Sequence, residues 1–162
     1  MRLSFKMFTE LQSTTLLALR HLPPGELLFL LDFQDYHGFE KSRVPESLYQ
    51  DALTRLNVRS EDVQVEIVRV ARDLTQAVHR HNRSMAIVSI LGPKEHLPEA
   101  VSARGYLGST WFRISSGESK LIPPTTPHGF TVRENGILYF LSIQSPPIIS
   151  GNGEDDYEPL TS

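Results

Sequence analysis

Gly117-Glu118-Ser119-Lys120-Leu121-Ile122-Pro123-Pro124-Thr125-Thr126-Pro127-His128-Gly129-Phe130 joins a polar turn, a short apolar step, a proline-rich corner and one histidine. His128 follows Pro127 in a turn that leads into an apolar strand around Phe130 and Val132. A second stretch, Val78-His79-Arg80-His81-Asn82-Arg83, lies well before it in the chain. Side chains at i and i+2 of an extended segment share a face, so His79 and His81 present two imidazoles side by side. A metal needs ligands that converge to roughly 2.0–2.1 Å. Two histidines from one strand and a third, His128, from a distant strand meet that need economically once a barrel closes. Arg80 alternates away from the histidine face. Arg83 shares the parity of His79 and His81, which makes it a candidate for bidentate contact with a substrate carboxylate.

Working outward, the pattern is one of short strands separated by turns. Val63 to Val70 is β-branched and roughly alternating, and Ala86 to Leu91 is apolar and ended by Gly92-Pro93. Tyr106 to Ile114 reads as one strand with a bulge at Gly108. Ser116 to Ser119 is a turn before Leu121-Ile122, and Glu134-Asn135-Gly136 is a tight turn before a strand over 137–143. This succession over residues 60–145 predicts an all-β sandwich or barrel. Upstream, His21-Leu22-Pro23-Pro24-Gly25 is a turn. The apolar run 27–33 suits a buried strand, although periodicity alone does not separate it from a buried helix. Pro45-Glu46-Ser47 opens a helix to about residue 57, with Leu48, Tyr49, Ala52, Leu53 and Leu56 on one face. The expected organisation is an N-terminal, partly helical extension over 1–57, a barrel over 58–147 and an acidic tail over 148–162. The tail carries Glu154, Asp155, Asp156 and Glu158; it is either mobile or a strap that packs Tyr157 onto the barrel.

The two histidine segments together resemble the paired motifs of the cupin superfamily. Gly117, five residues, Pro123, then Thr125 and His128 is similar to the second motif, with Thr125 where that motif has glycine. His79-Arg80-His81 is similar to the start of the first, which continues with a glutamate four or five residues on; here those positions hold Met85 and Ala86. The resemblance covers roughly residues 60–147 and implies a double-stranded β-helix, or jelly-roll, barrel. It further implies one divalent metal on His79, His81 and His128, with iron ahead of manganese, nickel or zinc, and a small-molecule substrate. Some cupins use three histidines without a carboxylate, as thiol dioxygenases do with iron, so the resemblance implies a dioxygenase with iron, or isomerase, lyase or hydrolytic chemistry with zinc, nickel or manganese. Three neutral imidazoles leave the charge of a divalent ion undiminished and favour an anionic or polar ligand beside it. The rival expectation is a non-catalytic barrel, for sensing, storage or structure, with a lapsed site; Met85, Ala86 and Thr125 are its supports. Pairing of barrels into a homodimer also follows from the resemblance.

Aromatic residues Tyr106, Trp111, Phe112, Phe130, Tyr139 and Phe140 are candidates for a pocket wall or for plain core, and Tyr139 is the candidate acid or hydrogen-bond donor. His21, His37 and His96 lie in turn-rich surroundings and read as surface residues. The totals narrow the field further. The chain has 162 residues, which points to one domain. It has no cysteine, which excludes disulfides, thiolate metal sites and cysteine nucleophiles. A net charge of -3 argues against duplex DNA as a partner. Neither a GxSxG elbow nor a glycine-rich phosphate loop is present. Polar residues Gln12 to Thr15 interrupt the early apolar run, and 27–31 is too short to span a bilayer, so the expectation is a cytoplasmic protein with no signal peptide and no membrane partner.

Overall fold

The computed structural model describes residues 3–72, 74 and 76–160. Helix α1 (Phe5–His21) starts at Ser4, whose Oγ accepts the Met7 N–H at 3.2 Å. The chain continues through helix α2 (Glu26–Leu30), strands β1 (Gln34–Tyr36) and β2 (Phe39–Arg43) and helix α3 (Gln50–Leu56). Nine strands then follow: β3 (Gln64–Ala71), β4 (Gln76–Arg80), β5 (Met85–Ile90), β6 (Ala103–Leu107), β7 (Thr110–Arg113), β8 (Ser119–Ile122), β9 (His128–Val132), β10 (Ile137–Ser145) and β11 (Glu158–Pro159). They form two antiparallel sheets, ordered β1-β2-β3-β10-β5-β8 and β11-β4-β9-β6-β7. The fold is the expected all-β jelly roll with a short helical N-terminus. Residues 34–43, within the expected extension, supply two strands to the larger sheet.

The larger sheet is apolar on both faces, and strand alternation sorts the side chains. On β10, Leu138 and Phe140 face the barrel interior with Val68, Val88 and Phe130. Leu141 and Ile143 face the other way, with Val65, Ile67 and Ile87, beneath Phe8, Leu11 and Leu19 of α1. There are thus two apolar layers, one inside the barrel and one between the larger sheet and the helices. Sheets buried on both faces lose clean alternation, which explains why Val63 to Val70 alternates only roughly and why adjacent Ile67 and Val68 are both buried.

Three expectations are corrected. The run 27–33 is not a strand: Gly25, at φ +85, turns the chain into α2, which buries Leu27 and leaves Phe29 88% exposed. The stretch 106–114 is not one bulged strand but the hairpin β6–β7, with Gly108 at φ +71 in its turn. The helix expected from Pro45 divides into a 3₁₀ turn (Glu46–Leu48) and α3, and Asn57 at φ +55 stops it. The sequence reading assigns no element to 5–21. The signal it passes over is the spacing of Phe8, Leu11, Gln12, Thr15 and Leu19, all buried on one face of α1. No described helix is long and apolar enough to cross a membrane.

Candidate metal centre

His79 on β4 and His128 on β9 stand directly opposite each other across the smaller sheet. Gly129 permits this close approach: a Cβ there would lie 3.0 Å from the Gln76 carbonyl oxygen and 3.2 Å from Val78 Cα. His81, just beyond β4, completes a triangle with ring centroids 4.3 Å (His79–His128), 4.9 Å (His79–His81) and 5.0 Å (His81–His128) apart. One ring nitrogen from each histidine lies within 4.8 Å of the others, and all three residues are buried. Among the described residues they are the group so arranged.

The protonation state follows from the hydrogen bonds. His79 Nδ1 lies 2.7 Å from the Ala77 carbonyl oxygen, His128 Nδ1 3.0 Å from that of Thr126, and His81 Nδ1 2.5 Å from that of Asp156. A carbonyl oxygen only accepts, so each Nδ1 carries the proton and donates it. In a neutral ring each Nε2 then holds a free lone pair, the form a metal takes. Burial keeps the rings neutral. It pushes the His79 pKa from 6.5 down to about 2, helped by the neighbouring His128. Burial and His81 push His128 down to about 4. Burial lowers His81 as well, against the opposing pull of Asp156. Three buried, neutral, pre-oriented imidazoles around one point are the donor set of a mononuclear divalent site, so the residues fit the ion that the sequence implies.

The acidic tail is a strap, the second of its two expected forms. Strand β11 pairs Glu158 and Pro159 with Arg80 and His79. Glu158 takes a two-pronged bond from Arg80 at 2.9 and 3.0 Å. The buried Asp156 carboxylate accepts the backbone N–H groups of Asn82, Arg83 and Ser84 at 2.8–2.9 Å. Burial raises the Asp156 pKa, but those three donors and the nearby His81 outweigh it and hold the carboxyl below its ordinary value. One residue therefore fixes both the loop after His81 and, through its carbonyl, the His81 ring. Tyr157 stacks on His79 at 4.5 Å and on His37 at 3.7 Å. Asp155 accepts from Tyr36 Oη at 2.5 Å and pairs with His37 Nε2 at 2.8 Å. Replacing Asp156 with alanine keeps the carbonyl that His81 bonds but frees the loop that the carboxylate holds, and should weaken divalent-metal binding by about 10-fold, the lower end of the range for outer-shell changes. Calorimetric titration with Zn²⁺ measures this; an unchanged Kd would show that the strap does not support the site.

The remaining sequence candidates separate. Phe130 and Phe140 line the cavity over the histidines. Tyr139 is buried on the opposite face of β10, in the layer under the helices and 6.2 Å from Phe33, so it does not reach the cavity. Arg83 is drawn to the strap, with Glu154 at 3.4 Å and Asp156 at 3.9 Å, and its side chain is half exposed. Its backbone bends at 82–83, beyond β4, so strand parity no longer applies to it. Trp111 is exposed on β7. His21, His37 and His96 are all exposed, as expected, and His37 also contacts the strap through Asp155. Thr125 adopts φ +66 while its N–H donates to the His81 carbonyl at 2.7 Å. That left-handed conformation accounts for glycine in the similar motif and strains a β-branched residue.

Sequence reasoning missed the polar cavity wall. Ala86, where the similar motif continues with glutamate, lines the cavity with only a methyl group. A carboxylate comes instead from Glu66 on β3, paired with Lys41 Nζ at 3.1 Å, while Lys41 sits 3.7 Å over the Tyr36 ring. The available signal was a glutamate inside the β-branched run of β3.

No family model matches the sequence, and no curated protein matches it. Solved structures do match in shape. KdgF from Halomonas sp. is 20% identical, with 72% of this chain and 88% of that chain covered at a TM-score of 0.51. A cupin-2 domain protein from Rhodospirillum rubrum is 13% identical, with 82% and 76% covered at 0.57. Streptomyces PAC13, in a structure with uridine, is 13% identical, with 82% and 87% covered at 0.52. The chain thus has the cupin double-stranded β-helix fold, as its two histidine motifs imply.

Proposed function

We propose that this chain is a mononuclear metal-dependent enzyme that acts on a small polar or anionic organic molecule inside the barrel. The observation that carries the reading is the convergence of His79, His81 and His128, each with Nδ1 bonded to a carbonyl oxygen and Nε2 left free. A divalent ion there supplies Lewis-acid chemistry for an isomerase or lyase, and iron, the leading choice, adds oxygenation in the manner of a three-histidine dioxygenase. The protein's own contributions are separate. Asp156 orients His81, Phe130 and Phe140 form an apolar wall of the cavity, and the Lys41–Glu66 pair forms a polar one. Tyr139 and Arg83 have no part in this reading. The fold neighbours support it in kind: among them are KdgF, PAC13 with uridine, and dimethylsulfoniopropionate lyases. A homodimer belongs to the same proposal, and the exposed Phe29 on α2 is a residue it would bury.

One observation favours a second reading, a non-catalytic barrel with a lapsed site: the cavity over the histidines measures only about 30 Å³ and Ala86 brings no carboxylate to it. Metal removal separates the two. A ligand at about 100 times its Kd stabilises the folded state by about 2.7 kcal/mol, which for a domain of this size is a Tm shift of roughly 5–10 °C. Calorimetry of reconstituted and chelator-treated protein should show that difference. Identical melting would favour the lapsed barrel. Oxygen consumption by the iron-loaded protein with small thiols and acids then distinguishes oxygenation from isomerase or lyase chemistry.

A further inference from the structure

The cavity over the three histidines measures about 30 Å³, and a groove of about 490 Å³ lies beside it. Tyr36, Lys41 and Glu66 line both spaces, so their side chains are the partition between them. Closed in this way, the cavity has room for water-sized groups and no more. A larger ligand reaches the histidines only if a wall gives way.

Two members of the partition are fixed. Lys41 and Glu66 pair at 3.1 Å with side chains 12% and 4% exposed, on strands β2 and β3, each bonded on both sides. Parting them would strand a buried charge. Tyr36 is placed differently. It ends β1, a three-residue strand at the edge of the sheet that pairs only with β2. The chain after it turns through His37 at φ +51 and Gly38 at φ +95. Side-chain contacts hold its ring: Lys41 Nζ lies 3.7 Å over one face, and Phe39 and Tyr157 meet it edge-on at 5.4 and 5.6 Å. Its Oη donates to the Asp155 carboxylate on the strap at 2.5 Å. Swinging the ring into the groove breaks that one charge-assisted bond and a set of weak ring contacts. The strap need not lift for this. Asp156 and Glu158, not Asp155, bind it to the loop after His81 and to Arg80. The His81 ring therefore stays aligned while Tyr36 moves.

We propose that Tyr36 is the gate of the histidine cavity and Asp155 its latch: the ring held against Lys41 admits only water, and its withdrawal joins cavity and groove so that a ligand reaches the metal ion. This gives the regulation of the metal centre and rests on that reading. It accounts for a cavity too small for an organic molecule in a barrel whose histidines are set for a metal.

The test uses full-length protein loaded with Co²⁺, in high salt, with cobalt content measured on every sample. The probe is azide, an anion of three heavy atoms whose binding is followed by cobalt absorption after rapid mixing. Only open molecules bind, so the apparent association rate scales with the open fraction. Tyr36→Phe keeps the ring but removes the latch bond, and should raise the rate about tenfold, the effect of losing one hydrogen bond to a charged acceptor. Asp155→Ala should also be faster. Tyr36→Phe combined with Asp155→Ala should be no faster than Asp155→Ala alone, because both changes break the same bond. Tyr36→Ala removes the gate and should be the fastest. Asp35→Ala, in the groove but not the cavity, removes the same charge as Asp155→Ala and should leave the rate nearly unchanged, since salt screens exposed charge. Equal rates in the native protein, Tyr36→Phe and Tyr36→Ala would overturn the gate. A double variant that multiplies the two single effects would overturn the latch. Protein that takes up no cobalt would instead overturn the metal-centre reading on which the proposal rests.

Discussion

Acidification from pH 7 to pH 5 should remove about 4 kcal/mol of stability from the metal-free protein through His79 and His128 alone. Both pKa values are depressed by burial, from 6.5 to about 2 and about 4. The unfolded chain therefore takes up these protons as the pH falls through 6.5, while the folded chain refuses them. Unfolding is favoured by about 1.4 kcal/mol per pH unit per histidine below that point, until the folded-state pKa is reached. The stability is fully present above 6.5 and is lost on the acid side, and His81 shifts in the same direction. Set against a usual total of about 5–15 kcal/mol, this removes between about a quarter and most of the stability. Urea titrations at the two pH values, with chelator present, measure it. His128→Leu should reduce the pH dependence by about half of the figure given. Equal stability at both pH values would show that the imidazoles are not held neutral.

Lys41→Met should destabilise the fold by about 3–5 kcal/mol, because it strands the Glu66 carboxylate in the barrel. The Lys41 side chain is 12% exposed and that of Glu66 4%, so water screens the pair little. The double variant Lys41→Met with Glu66→Leu should recover most of the loss, since an apolar pair of similar volume avoids the desolvation of both charges. Thermal or urea unfolding of the two single variants and the double variant gives the cycle. If the single and double variants are equally destabilised, the loss comes from packing against Tyr36 and not from a buried charge.

The barrel and the three histidines were legible because each depends on a local rule. The strand spacing of His79 and His81, and the glycine and prolines before His128, survive any tertiary context. The β5 and β10 expectations hold because those runs are long and apolar. What was not legible depends on distant partners. Tyr139 was a candidate acid because a phenol inside a barrel is chemically useful. Yet on a sheet covered on both faces, parity alone does not say which face is inside, and Tyr139 faces the helices. Arg83 follows His81 by only two residues, but Asp156, far along the chain, curls that loop outward. The Lys41–Glu66 pair joins the N-terminal region to β3, and neither residue carries a motif. The exposed helix at Phe29 shows the same limit: five apolar residues have no period to read.

The proposed function requires that His79, His81 and His128 bind one divalent metal ion. Elemental analysis of purified, untagged protein, beside His128→Ala, decides it. About one equivalent of a transition metal, iron before the others, is expected in the native chain, and its loss in the folded variant. No metal in either protein, even after reconstitution with Fe²⁺, Mn²⁺, Ni²⁺ or Zn²⁺, would contradict it and leave a barrel whose buried histidines serve another purpose.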